Sequence, residues 1–144
     1  MKVIRLAVAI ALIASAIALI AWSSHAADDK PTITSVLTTD VTASGQPFTF
    51  PAKNAQLIVA TYEIPPGVTL PEHKHPFPRF AYMLAGTLRV TNTETGKNAV
   101  YKAGDFIPEA IGQWHQGANI GTDTAKLLVI DLTEKGQSNV TPKQ

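Results

Sequence analysis

His73 and His75 stand two residues apart in the stretch His73-Lys74-His75-Pro76-Phe77-Pro78-Arg79, and a third histidine, His115, follows much later in the chain. Along a strand, residues two apart share a face with their Cα atoms about 6.5 to 7 Å apart. Two imidazoles so placed can meet one divalent ion at about 2.0 to 2.2 Å. The chemistry on offer is therefore metal chemistry. Arg79 complicates it, because a guanidinium is permanently charged and has no lone pair to offer a metal. The chain contains no cysteine, which excludes thiolate sites, thiol nucleophiles and disulfides.

The histidines need rigid elements to bring them together. Residues 33–42 and 55–64 are dense in β-branched side chains and read as strands. Prolines 65, 66, 71, 76 and 78 keep any helix out of the segment that carries His73 and His75. A further strand is expected in 79–92, a polar turn near 93–98, more strand in 99–121, and a last strand in 125–133. The polar residues after it are expected to fray. Asn139-Val140-Thr141 also matches a glycosylation acceptor pattern. No capped segment of 3.6-residue periodicity follows the first 26 residues, so the fold class is all-β, a sandwich or barrel of short strands.

At this point the sequence resembles the cupin superfamily. Gly67, His73, His75, position 79 and Gly86 fall at the spacings of its first motif, and Gly104, Gly112, His115 and Asn119 at those of its second. The resemblance implies a single-domain jelly-roll barrel, or double-stranded β-helix. It also implies a divalent transition metal (iron, manganese, nickel or zinc) held by His73, His75 and His115 and usually by a glutamate. Two positions depart from the pattern. Ala110 stands where the second motif has proline, and Arg79 stands where the first has its glutamate.

Three arrangements are compatible with Arg79. Three histidines alone could hold the ion, with open positions for water or substrate. Glu109, six residues before His115, could supply the missing carboxylate or pair with Arg79. Arg79 could instead point inward and bind an anionic substrate, or turn outward toward a surface acid such as Glu72. Glu109 and Gln113, the latter sharing strand parity with His115, are the candidates for proton transfer. Trp114 and Tyr82 have the opposite parity and are expected to pack away from the pocket. Ala81, Met83 and Ala85 share the face of position 79, and small residues there leave room for a ligand.

Residues 1–26 carry a basic leader (Lys2, Arg5), an apolar run from Leu6 to Trp22 and a small-residue cleavage signal at Ser24-His25-Ala26. This is the layout of a secretory signal peptide cut after Ala26, with an uncleaved membrane anchor as the rival reading. Either way the body, 27–134 with a polar tail at 135–144, is expected outside the cytoplasm, periplasmic or secreted. Removing Lys2 and Arg5 from the 12 basic residues leaves 10 against 11 acidic ones. No basic stripe remains for nucleic acid. The expected partners are a small-molecule ligand and a second copy of the chain, since proteins of this family pair through an outer sheet and Phe80, Tyr82 and Leu84 face outward. The function expected is a metal-dependent enzyme of oxygenase, isomerase or lyase class, or else a non-catalytic metal- or small-ligand-binding protein.

Overall fold

The computed structural model describes residues 30–144, so the expected leader, 1–26, lies outside the described residues. Nine strands follow one another: β1 (Ala55–Ile64), β2 (His73–Lys74), β3 (Arg79–Ala85), β4 (Thr87–Asn92), β5 (Asn98–Lys102), β6 (Phe106–Pro108), β7 (His115–Asn119), β8 (Ala125–Glu134) and β9 (Thr141–Pro142). They form a four-stranded sheet in the order β1-β8-β3-β6 and a five-stranded sheet in the order β5-β4-β7-β2-β9. The described residues contain no helix, and the expected all-β jelly roll, or double-stranded β-helix, is what the two sheets build.

The sequence pattern explains the alternation between sheets. Residues 79–92 look like one strand, but Gly86 breaks them into β3 and β4, which belong to different sheets. Gly86 has φ of +77°, and a Cβ there would lie 2.7 Å from the Ala125 Cα. Only glycine satisfies both demands. The same switch separates β6 from β7. Inward residues of β3 (Ala81, Met83) and β8 (Leu127, Val129) meet Ile64, Leu88, Ile107 and Ala125 in one buried core. β8 shows the strictest alternation, with every odd residue from Ala125 to Thr133 buried.

Two local expectations are corrected. Residues 33–42 do not form a strand: Ile33 is 92% exposed, and the segment has only an isolated bridge from Val41 to Pro47. Its β-branched composition supplies strand propensity but no ladder partner. The C-terminal tail does not fray. Thr141–Pro142 pairs with β2 opposite His73 and Lys74, and Asn139 is buried. Polarity alone predicted exposure, yet these residues bond to groups that the barrel leaves uncovered.

The outer face of β3 also differs from expectation. Phe80 lies 5.6 Å from Phe48 and 6.0 Å from Phe106, ring centre to ring centre. The chain's own segment before β1 thus packs on a residue expected to meet a second subunit. Leu84, by contrast, is 49% exposed.

Candidate metal centre

His73 lies on β2, His75 just beyond it and His115 on β7, where His73 and His115 are register partners. His75 bridges Ile111 in parallel, and its carbonyl accepts the Gly112 N–H at 2.8 Å. That bond fixes the turn leading into His115, and Gly112 meets it with a φ of +73°. The three ring centres end 4.7 to 4.9 Å apart.

The carboxylate comes from the opposite sheet. In the β3–β6 pairing Phe80 faces Pro108, and the next residue along, Glu109, donates its N–H to the Arg79 carbonyl at 2.9 Å. Residue 109 is therefore the cross-strand neighbour of residue 79. Glu109 Oε2 sits 3.1 Å from His75 Nε2 and 3.2 Å from His115 Nε2. One ligand atom from each of His73, His75, Glu109 and His115 lies within 4.8 Å of all the others. Arg79 occupies the position where the family motif has its glutamate, and a carboxylate reaches the histidines from the neighbouring position across the ladder.

Each histidine has its other nitrogen occupied. His73 Nδ1 lies 2.7 Å from the Pro71 carbonyl, His75 Nδ1 2.5 Å from the Asn139 carbonyl, and His115 Nδ1 2.8 Å from the Gln113 carbonyl. A carbonyl can only accept, so each Nδ1 carries a proton, and Nε2 is the nitrogen of each ring that can give up its own proton and offer a lone pair. Backbone carbonyls that fix the tautomer in this way are the usual support of metal-bound imidazoles. Three lone pairs and a carboxylate oxygen then face one another, an arrangement that needs either a cation or a proton at its centre.

The ionisation of the metal-free cluster fits this. Burial opposes charge on Glu109, but hydrogen bonds from His115 and His75, together with the charges of His75 and Arg79, outweigh it and hold the carboxyl well below its ordinary range. For His115 burial disfavours the cation, yet the Glu109 carboxylate and the Gln113 carbonyl raise its proton affinity above the ordinary value. His73 is shifted the other way, chiefly by burial, with help from the neighbouring imidazoles. Without metal, then, the Glu109 carboxylate strengthens the hold of His115 on its proton. The set of three imidazoles and one carboxylate fits a divalent transition metal.

Arg79 takes a different partner from those expected of it. Its Nε donates to Asp131 Oδ1 at 2.7 Å and a terminal nitrogen donates to Asp131 Oδ2 at 2.8 Å, both side chains being buried. Arg79 and Asp131 are register partners in the β3–β8 ladder. Glu109, Arg79 and Asp131 thus form a row across three strands, acid, base and acid. The guanidinium also lies 5.7 Å from the centre of the Tyr62 ring. The Arg79 side chain does not turn outward to Glu72, which instead bonds Lys143 and Thr93; it lines the cavity beside the cluster, paired with Asp131.

Gln113 lines a cavity that also touches Glu109 and His115. Its side-chain oxygen accepts from Asn92 Nδ2 at 2.7 Å, and its contact with the cluster runs through the backbone carbonyl that orients His115. Trp114 lies away from the cluster, with the Lys74 and Lys143 ammonium groups 4.7 and 5.6 Å from its ring centre.

Two contributors are not evident from the sequence. Asn139 holds His75 through its carbonyl, while its amide group donates to Asp131 Oδ1 at 2.6 Å and its side-chain oxygen accepts the Phe77 N–H at 2.9 Å. With its side chain committed inside the protein and 5% exposed, it is no surface acceptor for a glycan. Nothing in its local sequence gives this away. Asp131 does leave a signal: it is an acid at inward parity in an otherwise apolar strand, and a buried charge needs a partner.

A family profile described as the cupin domain matches residues 60–131, half of the 144-residue chain. The chain is a cupin. No curated protein matches it in sequence. Among solved structures, this cupin is similar to the polyketide cyclase RemF of Streptomyces resistomycificus, with 22% identity, a TM-score of 0.50 and coverage of 61% of each chain. The Lactobacillus farciminis oxalate decarboxylase, solved as a formate complex, shares 23% identity at a TM-score of 0.51. There 60% of this cupin covers only 26% of the decarboxylase. An uncharacterised Klebsiella pneumoniae protein with a double-stranded β-helix domain matches over 80% of this chain and 99% of its own, at 17% identity and a TM-score of 0.51. At these identities the likeness is one of fold.

Proposed function

We propose that this cupin is an extracytoplasmic metal-dependent enzyme acting on a small organic substrate, in the oxygenase, isomerase or lyase class. The observation that carries the reading is the common orientation of the cluster: three Nδ1 atoms tied to backbone carbonyls, with three Nε2 lone pairs and Glu109 turned inward. His73, His75, His115 and Glu109 would hold the ion, and a divalent metal so held polarises a bound oxygen as a Lewis acid. Gln113 and Asn139 act as positioning residues, each fixing one imidazole through its carbonyl. The pair Arg79–Asp131 holds the wall beside Glu109 and keeps the guanidinium from repelling the ion as an uncompensated charge.

A non-catalytic binding protein is the rival expectation, motivated by the loss of the glutamate at position 79. With Glu109 beside the histidines that motive weakens. Metal analysis of the protein isolated from its native compartment, combined with oxygen uptake and turnover assays on phenolic, keto and hydroxy acids, separates the two. Stoichiometric iron, manganese or nickel with turnover supports the enzyme. Tight metal without turnover supports binding alone, and absence of any bound metal sinks the enzyme and leaves only small-ligand binding.

The location outside the cytoplasm rests on Lys2, Arg5 and the apolar run after them. N-terminal sequencing of the mature protein should begin at Ala27. We also propose a homodimer, now through the edge strand β1 and Leu84 instead of Phe80. Leu57 and Val59 on one face of β1 are 61% and 53% exposed, and Ile58 on the other is 40% exposed. Sedimentation showing monomer alone at micromolar concentration would count against it.

A further inference from the structure

We infer that this site selects a small monoanion carried on an apolar body, and discriminates against small dianions. The inference rests on the metal reading above and specifies the substrate class of the same centre. Two independent observations lead to it, one of shape and one of charge.

Two cavities meet at the cluster. The first, of about 260 Å³, is touched by His73, Glu109 and His115 and walled by Ile64, Leu70, Leu88, Leu127 and Val129. The second, of about 430 Å³, shares Val90, Glu109 and His115 with the first but is lined by polar groups that include Asn92, Lys97, Asn98 and Gln113. His73 faces only the first. A ligand that reaches His73, Glu109 and His115 together therefore has the apolar chamber for its body. That chamber is smaller than the roughly 300 to 1,000 Å³ of sites for drug-sized molecules, so the body is small.

Charge narrows the class. Among the described residues Arg79 is the one cation lining the apolar chamber, and Asp131 already neutralises it. Glu109 contributes one negative charge. With a divalent ion, the sum over ion, Glu109, Arg79 and Asp131 is +1. One negative charge on the ligand completes neutrality, as a carboxylate, enolate or phenolate oxygen would. A dianion would leave an excess charge against apolar walls, with no free cation there to meet it. Oxalate, the substrate named for the decarboxylase of similar fold, is thus a poor match to this chamber.

The test uses full-length protein loaded with cobalt(II), titrated with acetate, butanoate, hexanoate and oxalate, and read by the visible spectrum of the cobalt and by calorimetry. Affinity should rise about three- to fourfold for each methylene that enters the chamber, and hexanoate should bind more tightly than oxalate. Leu70→Phe, at the partly buried side of the chamber, should lower hexanoate affinity by about tenfold or more, and by a larger factor than acetate affinity. A flat response to chain length, or oxalate binding more tightly than hexanoate, overturns the inference and leaves the metal reading standing. Failure of the wild-type protein to take up cobalt overturns both. The chain-length series on wild type decides the matter even if the variant does not fold.

Discussion

The histidines come from one wall of the barrel and the charged row from the other, and the two walls are organised by different kinds of spacing. On the histidine wall, His73 and His75 are neighbours along the chain, and His115 is brought opposite His73 by a single register. On the other wall, Arg79 and Asp131 lie on β3 and β8 and Glu109 just beyond the end of β6, and the three are neighbours only across the ladder. The first wall is specified by local sequence; the second exists only once the sheet has formed. Substitution is therefore easy to misread on the second wall. An arginine at the glutamate position looks like loss of a ligand, although the carboxylate has moved one strand over.

The largest effects are expected at the histidines. His75→Ala and His115→Ala should each abolish stoichiometric metal binding, measured by elemental analysis after dialysis. Either variant retaining the wild-type ion would contradict the assignment. The next largest effect is on stability. Asp131→Ala leaves the Arg79 guanidinium buried without its partner and should cost about 3 to 5 kcal/mol in denaturant unfolding. The double variant Arg79→Met/Asp131→Leu should recover most of that loss, because an apolar pair replaces the ion pair. Arg79→Glu restores the family's residue but sets a third carboxylate between Glu109 and Asp131, so it should weaken folding without strengthening metal binding.

Much of the histidine wall is legible in the amino-acid sequence. Period-two spacing is a local property of a strand, and the turn glycines Gly67, Gly86, Gly104 and Gly112 all adopt the positive φ expected of them. The row of charges is less legible, because register is fixed by packing and turn geometry, which no short motif records. Glu109 stands in the sequence as one of several alternatives, and Asp131 is concealed inside an apolar strand. Asn139 is the hardest, since a polar tail beyond the last long strand looks solvated until its partners, His75 and Asp131, are in place.

A smaller effect sharpens that last point. Asn139→Ala keeps the carbonyl that holds His75 but removes the amide bond to Asp131, and should cost about 1 to 3 kcal/mol in stability. Metal affinity should fall by about tenfold as the tail loosens its hold on the ring. Unchanged stability and affinity would mean that the tail is a passenger.

The smallest effect is the dependence on pH. Opposed by burial but dominated by Glu109, the folded protein holds the His115 proton more tightly than the ordinary value of 6.5. In metal-free protein its stabilising contribution is therefore present below that value and lost as pH rises through the raised one. The lowered Glu109 contributes above the ordinary carboxylate range and is lost only as pH falls through its depressed value. Metal competes with the His115 proton, so metal affinity should rise over the window in which metal-free stability falls. Denaturant midpoints of metal-free and metal-loaded protein between about pH 7 and 9, above the range in which the lowered His73 adds the opposite slope, test the sign. A metal-free midpoint that climbs with pH in that range would reverse it.

Ligands from both walls are proposed to converge on one ion. A crystal structure of the metal-loaded protein, with data collected on both sides of the metal's absorption edge, tests this convergence most directly. The account predicts a single strong anomalous peak bonded to the Nε2 atoms of His73, His75 and His115 and to a carboxylate oxygen of Glu109, with Arg79 still on Asp131. An ion held without Glu109, or a peak absent from the cluster altogether, would contradict it.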